Sequence, residues 1–299
     1  MFLQTCDRKK FSSWKTSSEG SCKYLHHDNN FLKLGPFKLE ILRRLPYLSM
    51  FHEFIDNQEI EWLIRETKPK LSASRTDMQY QSGKLDGTVK IVEKTVQTWL
   101  QEFNIKGSDT SYEQLRPTPS QVSIRHPILY RISRKIQLAT KLEMRFPTSS
   151  SMTQVTNYGL AGLCELHNDP SGFNEGYVLG AGDKRVEGYG DILGTFMAWL
   201  NQVDGGGGTA FPDHELLVNP GLIGSAAFWY SLDKKGFRHL EAEHGGCPVT
   251  KGSKWILNRW MYYFDNSSQF ARKTLSSNEP KYSPFFEKTR AESKGVVYP

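Results

Sequence analysis

Beyond residue 150 the chain breaks into short aromatic and β-branched segments, "MTQVTNYGLAGL", "GTFMAWLNQV", "GLIGSAAFWYSL" and "KWILNRWMYYF", separated by turns rich in Gly, Pro and Asp. Strands this short and this apolar cannot bury themselves one at a time, so they must pack as layers, in a sandwich or barrel of jelly-roll type. The run Gly205–Gly208 supplies a flexible bend before "TAFP". Upstream the periodicity is helical. In "FIDNQEIEWLIRETKPKL" Asp56 can cap a helix with Glu59 at its third position, Ile55 and Ile60 can staple it, and Ile60, Leu63 and Ile64 share a face until Pro69 stops it. A turn is expected at 81–87, a second helix over "VEKTVQTWLQEF" and a loop over 106–122. A third helix is expected over "HPILYRISRKIQLATKLEM", with Pro127 in its first turn and Ile128, Leu129, Ile132 and Ile136 at helical spacing. Residues 1–35 read as an irregular polar cap. The chain is therefore of the α+β class, with its active region expected in the second half.

The bulk properties exclude more than they select. With 38% hydrophobic residues and a mean hydropathy of -0.53, no apolar run approaches the ~20 residues of a membrane span. The net charge of +6 is split, with nine Lys/Arg against four Asp/Glu in residues 1–50 and again in 251–299, leaving 20 basic and 24 acidic groups between them. No single element carries a basic stripe with interleaved aromatics, so nucleic acid is not an expected partner. The start "MFLQTCDRKKFSSWKTSSEG" lacks the apolar stretch of a signal peptide. Cys6 and Cys22 bracket a 15-residue polar segment, which fits either a disulfide worth roughly 3 kcal/mol or two free thiols in a reducing compartment. The sequon Asn266-Ser267-Ser268 would accept a glycan only in a secretory compartment.

The segment "CELHNDPSGF" places His167 and Asp169 two positions apart, so an extended backbone would aim both side chains at one point. A metal there needs a third ligand. Of the eight histidines, His239 and His244 lie downstream among strand-like segments, in "RHLEAEHGGCPVTKGSKWILNRW". Two His and one carboxylate with open opposite positions form the facial triad of non-haem Fe(II) oxygenases, but the same ligand types could hold zinc in a hydrolase.

Taken together, "NYGLAGLCELHND", "GGGGTAFP", "AAFWYSL" and "HGGCPVTKGSKWILNRW" resemble successive signature segments of the prolyl 4-hydroxylase family of 2-oxoglutarate- and Fe(II)-dependent dioxygenases, nearest its animal collagen-type α subunits. The likeness runs upstream through "RISRKIQLATKLEM", "FHEFIDNQEIEWLIRETKPKLS" and "CKYLHHDNNFLKLGPFKLE" and ends near residue 272. It implies a double-stranded β-helix (jelly-roll) core with N-terminal helices packed on it. The implied division is a cap over 1–45, a catalytic domain over 46–265 with the dioxygenase core at about 150–265, and a tail over 266–299. It further implies that His167, Asp169 and His244 hold the iron. His244 is preferred to His239 because the family's lysine follows its distal histidine by ten residues, as Lys254 follows His244. Lys254 would pair with the distal carboxylate of 2-oxoglutarate, with Tyr158 and Thr195 helping to hold that co-substrate, while Trp260 and Cys164 would lie on the substrate side. The implied reaction consumes O₂ and 2-oxoglutarate, releases succinate and hydroxylates a prolyl ring in a collagen-like or other proline-rich polypeptide, with L-ascorbate keeping the iron reduced.

The resemblance also carries expectations about compartment, partner and cysteines. It implies the lumen of the endoplasmic reticulum, protein disulfide isomerase as a partner, a Cys6–Cys22 disulfide, and a free Cys247, since no cysteine follows Trp260. Three positions depart from the family pattern. Cys164 stands where a tyrosine is expected, Glu93 stands for an arginine, and Ile192 for another arginine. All three lie toward the substrate rather than the metal. They keep two alternatives open: a pseudoenzyme or binding module retaining the metal site, and a dioxygenase for another protein side chain.

Overall fold

The structure, a computed structural model, describes residues 2–6, 21–74, 95–105, 122–170, 189–219, 222–233 and 236–266. The chain enters through one helical turn, α1 (Phe2–Thr5). It then forms an antiparallel meander of β1 (Ser21–Leu25), β2 (Phe37–Arg44) and β3 (Tyr47–His52), with the short α2 (Asn30–Leu34) between the first two strands. Helix α3 (Asn57–Thr67) begins at the expected capping box: Asp56 accepts from the Glu59 backbone and Glu59 from that of Asp56, at 2.8 and 3.1 Å. Pro69 sits in the tight turn Lys68–Lys70 that ends it. Strands β4 (Ser72–Ala73), β5 (Val96–Leu100), β6 (Phe103–Ile105) and β7 (Val122–Ile124) follow. Helix α4 (Pro127–Thr140) starts on its proline and ends on Lys141 in the left-handed region. The remainder is β8 (Thr153–Tyr158), β9 (Cys164–His167), β10 (Ile192–Trp199), β11 (Gly205–Gly206), β12 (Thr209–Phe211), β13 (Leu216–Val218), β14 (Ala226–Tyr230), β15 (His244–Gly246), β16 (Val249–Lys251) and β17 (Lys254–Tyr262).

Among the described residues, nine strands form one antiparallel sheet in the order β1-β2-β3-β14-β10-β17-β8-β5-β4, and four form a second in the order β13-β12-β15-β9. The larger sheet buries both faces. Phe51, Phe196, Ala198, Phe228, Leu257 and Met261 point one way, into a core completed by Ile60 and Leu63 of α3 and Leu129, Ile132 and Ile136 of α4. Leu48, Met50, Met197, Trp199, Trp229 and Ile256 point the other way, toward Phe211 and Val218 of the smaller sheet. Double-sided burial is why these strands read as nearly continuous apolar runs rather than as alternating ones. This is the expected α+β jelly roll with N-terminal helices packed on it.

Four expectations need correction. Among the described residues of "VEKTVQTWLQEF" (92–103), Val96–Leu100 and Phe103 belong to strands, not a helix: β5 lies beside β8 in register from Val96↔Asn157 to Leu100↔Thr153. Hydrogen-bonding to a waiting sheet edge outweighs a weak helical periodicity, and Val96 and Thr98 are β-branched. The N-terminal region is not merely irregular, since β1, β2 and β3 extend the large sheet. Cys6 is bonded to Cys247, not Cys22, so Cys247 is not free and Cys22 is an exposed thiol. Finally, Asn266 of the sequon is fully buried. Its side chain accepts from the Glu143 backbone and donates to the Tyr262 carbonyl, which leaves no amide for a glycan. The turn at 81–87, the position of Glu93 and most of the loop 106–122 lie outside the described residues. Of the described residues, no helix is long and apolar enough to cross a membrane.

Candidate metal centre

His167 is the last residue of β9 and His244 the first of β15, and the two face each other directly across the antiparallel pair. That register puts the imidazole centroids 4.5 Å apart. Asp169, two residues past the strand end, folds back over them, with Oδ1 3.9 Å from His167 Nε2 and Oδ2 3.7 Å from His244 Nε2. Potential ligand atoms of all three lie within 4.8 Å of one another. Each histidine donates from Nδ1 to a backbone carbonyl, His167 to Glu165 at 2.8 Å and His244 to Ala242 at 3.0 Å. A carbonyl can only accept, so each Nδ1 carries a proton and each Nε2 is the nitrogen turned toward Asp169, where it could bind a metal in the neutral ring. Two imidazole nitrogens and one carboxylate, oriented this way, fit a divalent iron with open positions. Phe211 stacks against the His244 ring at 5.4 Å and Trp229 meets it edge-on at 4.7 Å, which fixes its plane.

In the metal-free protein, the positive charge that faces Asp169 is a proton on His167, one that a bound metal would displace. Burial lowers His244 to a pKa of about 4. Burial also opposes a proton on His167, but the Cys164 thiol beside it and the Asp169 carboxylate outweigh this and raise its pKa. Asp169 feels burial pushing it up, yet the two imidazoles and its hydrogen bonds hold it below the usual carboxylate range. Those bonds come from Thr195 Oγ1, which donates to Oδ2 at 2.7 Å, and Trp260 Nε1, which donates to Oδ1 at 3.1 Å.

A cavity of about 100 Å³, room for roughly three waters, adjoins the triad; Lys254, Tyr158, Thr209, Met197 and Ile256 are among the residues that line it. Lys254 opens β17 opposite Tyr158, the last residue of β8, and holds its ammonium 4.9 Å above that phenol ring. Burial lowers its pKa to about 8. Two-residue periodicity explains the lining: Lys254, Ile256, Asn258 and Trp260 alternate onto the cavity face of β17. The glycine run matters here, because Gly206 and Gly207 take φ of +69° and +70°. A Cβ on Gly206 would lie 2.1 Å from the Pro248 carbonyl.

All eight residues singled out in the sequence, His167, Asp169, His244, Lys254, Tyr158, Thr195, Cys164 and Trp260, line this one cavity. Within it, Thr195 and Trp260 both hydrogen-bond the Asp169 carboxylate. Cys164 faces the cavity with its sulfur 3.7 Å from His167 Nδ1. Ile192 starts β10 and does not line the cavity, and His239 stands outside the triad, before the turn Leu240–Ala242. Sequence reasoning missed Gln154, Asn258 and Thr209. Asn258 donates to Gln154 at 2.9 Å, and Gln154 in turn donates to Gln97. The same alternation that links Lys254 to Trp260 would have flagged Asn258.

No protein-family model matches the chain. Over 269 residues it is 31% identical to prolyl 4-hydroxylase subunit alpha-1 of Rattus norvegicus, an alignment covering 86% of this chain and 42% of that protein. The chain is a relative of the prolyl 4-hydroxylase α subunits. It is likewise 30% identical over 249 residues to the Caenorhabditis elegans subunit alpha-2, covering 83% of this chain and 40% of that one. With the human subunit alpha-3 it shares 29% over 260 residues, covering 86% and 41%. The chain thus spans about two fifths of the length of these relatives. Among solved structures, it aligns with a viral collagen prolyl hydroxylase from Paramecium Bursaria Chlorella virus-1, in a complex with 2-oxoglutarate, at 20% identity and a TM-score of 0.45. That alignment covers 72% of this chain and 95% of the viral one.

Proposed function

We propose that this chain is the catalytic region of an Fe(II)- and 2-oxoglutarate-dependent dioxygenase that converts peptidyl proline to 4-hydroxyproline in collagen-like or other proline-rich polypeptides. The observation that carries the reading is that the triad and a buried ammonium line the same small cavity. A short dicarboxylate with a 2-oxo acid at one end needs a metal at that end and a cation at the other. Bound iron would supply the oxidation, through O₂ and the co-substrate.

The chain's own residues do the rest. His167, Asp169 and His244 would hold the metal on one face and leave the opposite positions open. Lys254, mostly protonated at neutral pH with a pKa of about 8, would form a charge-assisted pair with the distal carboxylate. Thr209 Oγ1 stands 3.4 Å from its Nζ as a neutral neighbour. Met197, Ile256 and the Tyr158 ring wall the cavity and keep water away from that pair. Met197 and Tyr158 are themselves buried. The curated relatives' names, prolyl 4-hydroxylase subunits, support the same substrate class. L-ascorbate as the iron reductant, the endoplasmic reticulum lumen as the compartment and protein disulfide isomerase as a partner belong to this reading through that kinship. The observed disulfide suits an oxidising compartment.

Cys164 favours one alternative, a dioxygenase for a different protein side chain, because a thiol replaces a bulky phenol on the substrate side of the cavity. One assay separates the readings. Purified protein is supplied with Fe(II), ascorbate and labelled 2-oxoglutarate, with and without (Pro-Pro-Gly)-type peptides. Peptide-stimulated succinate release that His167→Ala abolishes supports the proposal. Succinate release without peptide stimulation, restored to peptide dependence by Cys164→Tyr, supports the alternative. Binding of iron and 2-oxoglutarate with no succinate under any condition marks a metal-binding module, and failure to bind either overturns the reading.

A further inference from the structure

We infer that Trp99 is a positioning residue for the metal centre, acting through Trp260 on the Asp169 carboxylate. The inference rests on the metal reading above and adds a residue two strands away from the ligands. Asp169 is the only carboxylate in the triad, and to bind by one oxygen it must hold one orientation. Rotation of a carboxylate about its terminal bond is soft, so a single hydrogen bond does not fix it. Here both oxygens are taken. Thr195, 2% exposed in the middle of the large sheet, secures Oδ2 from a stiff strand. Trp260 secures Oδ1 with its indole N–H.

Thr195 has the sheet around it, whereas the Trp260 indole is only partly buried and depends on what lies against it. The Trp99 ring lies 5.8 Å from the Trp260 ring at 35°. Trp99 sits on β5, separated from β17 by β8, in the register Trp99↔Gln154 and Gln154↔Asn258. The side-chain row Gln97, Gln154 and Asn258 ties these three strands on that face. At 42% exposure Trp99 contributes little to the core. An indole that large on the second strand from the sheet edge has its described ring contact with Trp260. The consequence is a relay: Trp99 holds the plane of Trp260, Trp260 holds Oδ1, and the carboxylate presents the same face to the metal each time.

The test uses Co(II) as probe and compares wild-type protein with Trp99→Ala, Trp99→Phe and Trp260→Phe. The expected loss of Co(II) affinity is about tenfold or more for Trp260→Phe, in line with an outer-sphere partner. For Trp99→Ala it is about two- to tenfold, the share of one aromatic contact. Trp99→Phe should bind near wild type, and the visible band of bound Co(II) should shift in Trp99→Ala but not in Trp99→Phe. Metal-free melting temperatures of the two Trp99 variants should agree, which a merely structural role would not give. Wild-type affinity in Trp99→Ala overturns the inference, as does a loss that only tracks a lower metal-free melting temperature and is not rescued by phenylalanine. If wild-type protein itself fails to bind Co(II), the metal reading falls and the inference with it; if only Trp99→Ala is unaffected, the inference falls alone.

Discussion

Lys254 is 1% exposed, and its neighbours, the Thr209 hydroxyl and the Tyr158 ring, carry no countercharge. Its pKa therefore falls to about 8 from 10.5. The sign follows directly. Between those two values the unfolded chain holds a proton that the folded chain has lost, so the free protein should gain stability as pH rises from about 8 toward 10.5. Co-substrate binding should move the opposite way: affinity for 2-oxoglutarate, measured by calorimetry, should decline above pH of about 8 as the ammonium is lost. Lys254→Met should remove the thermal stabilisation given by 2-oxoglutarate while leaving Co(II) binding within a few-fold, and retained co-substrate affinity would count against the cation role. At this scale much was legible. The two-residue spacing flagged His167 with Asp169, although Asp169 reaches the site from a bend beyond β9, and the resemblance, with its lysine ten residues after the distal histidine, selected His244. The roles of Thr195 and Trp260 were not legible, because a hydrogen bond to a carboxylate 26 or 91 positions away leaves no local trace.

The elements are joined by a buried ion pair that no sequence pattern announces. Arg259, on the face of β17 away from the cavity, is 1% exposed and pairs with Glu102, 2% exposed, at 3.2 Å. Its Nη1 also donates to Ser133 of α4 and Thr153 of β8, and its Nη2 to Ser150. The backbone carbonyl of Glu102 accepts from Arg125 and His126, which lead into α4. One side chain thus fixes where that helix lies against the sheet whose other face carries the site. Arg259→Ala should destabilise the protein by about 3–5 kcal/mol, since it strands a buried carboxylate. Chemical denaturation would check this, and a change under 1 kcal/mol would show the pair to be solvated. Removing the Asp56 cap of α3 should cost only about 1 kcal/mol. Both long helices were readable because caps and apolar spacing are local. Residues 96–105 were not, because their partner strand begins more than fifty positions later.

On the scale of the whole molecule, the Cys6–Cys247 disulfide spans a sequence separation of 241 and ties α1 to the strand that begins with His244. Phe2 packs so closely on Gly245 that a Cβ there would lie 2.8 Å from its ring. Denatured, unreduced protein should show two titratable thiols, Cys22 and Cys164, and peptide mapping should recover Cys6 linked to Cys247. Recovery of Cys6 linked to Cys22 would refute the structure at this point. Reduction should lower stability by roughly 2–5 kcal/mol. The short apolar segments and turn spacing of the sequence were enough to determine a layered β core with helices on it, and the H-x-D pair raised a metal, while His244 as third ligand and Lys254 as an anion partner came through the family resemblance. Those signals are local periods and fixed intervals along one chain. Only the tertiary structure decided which cysteine Cys6 meets, that Val96–Leu100 and Phe103–Ile105 are strands, and that Trp260 and Thr195 converge on Asp169. Each of these depends on which segments the packed sheets bring together, and close approach between distant segments has no period to read.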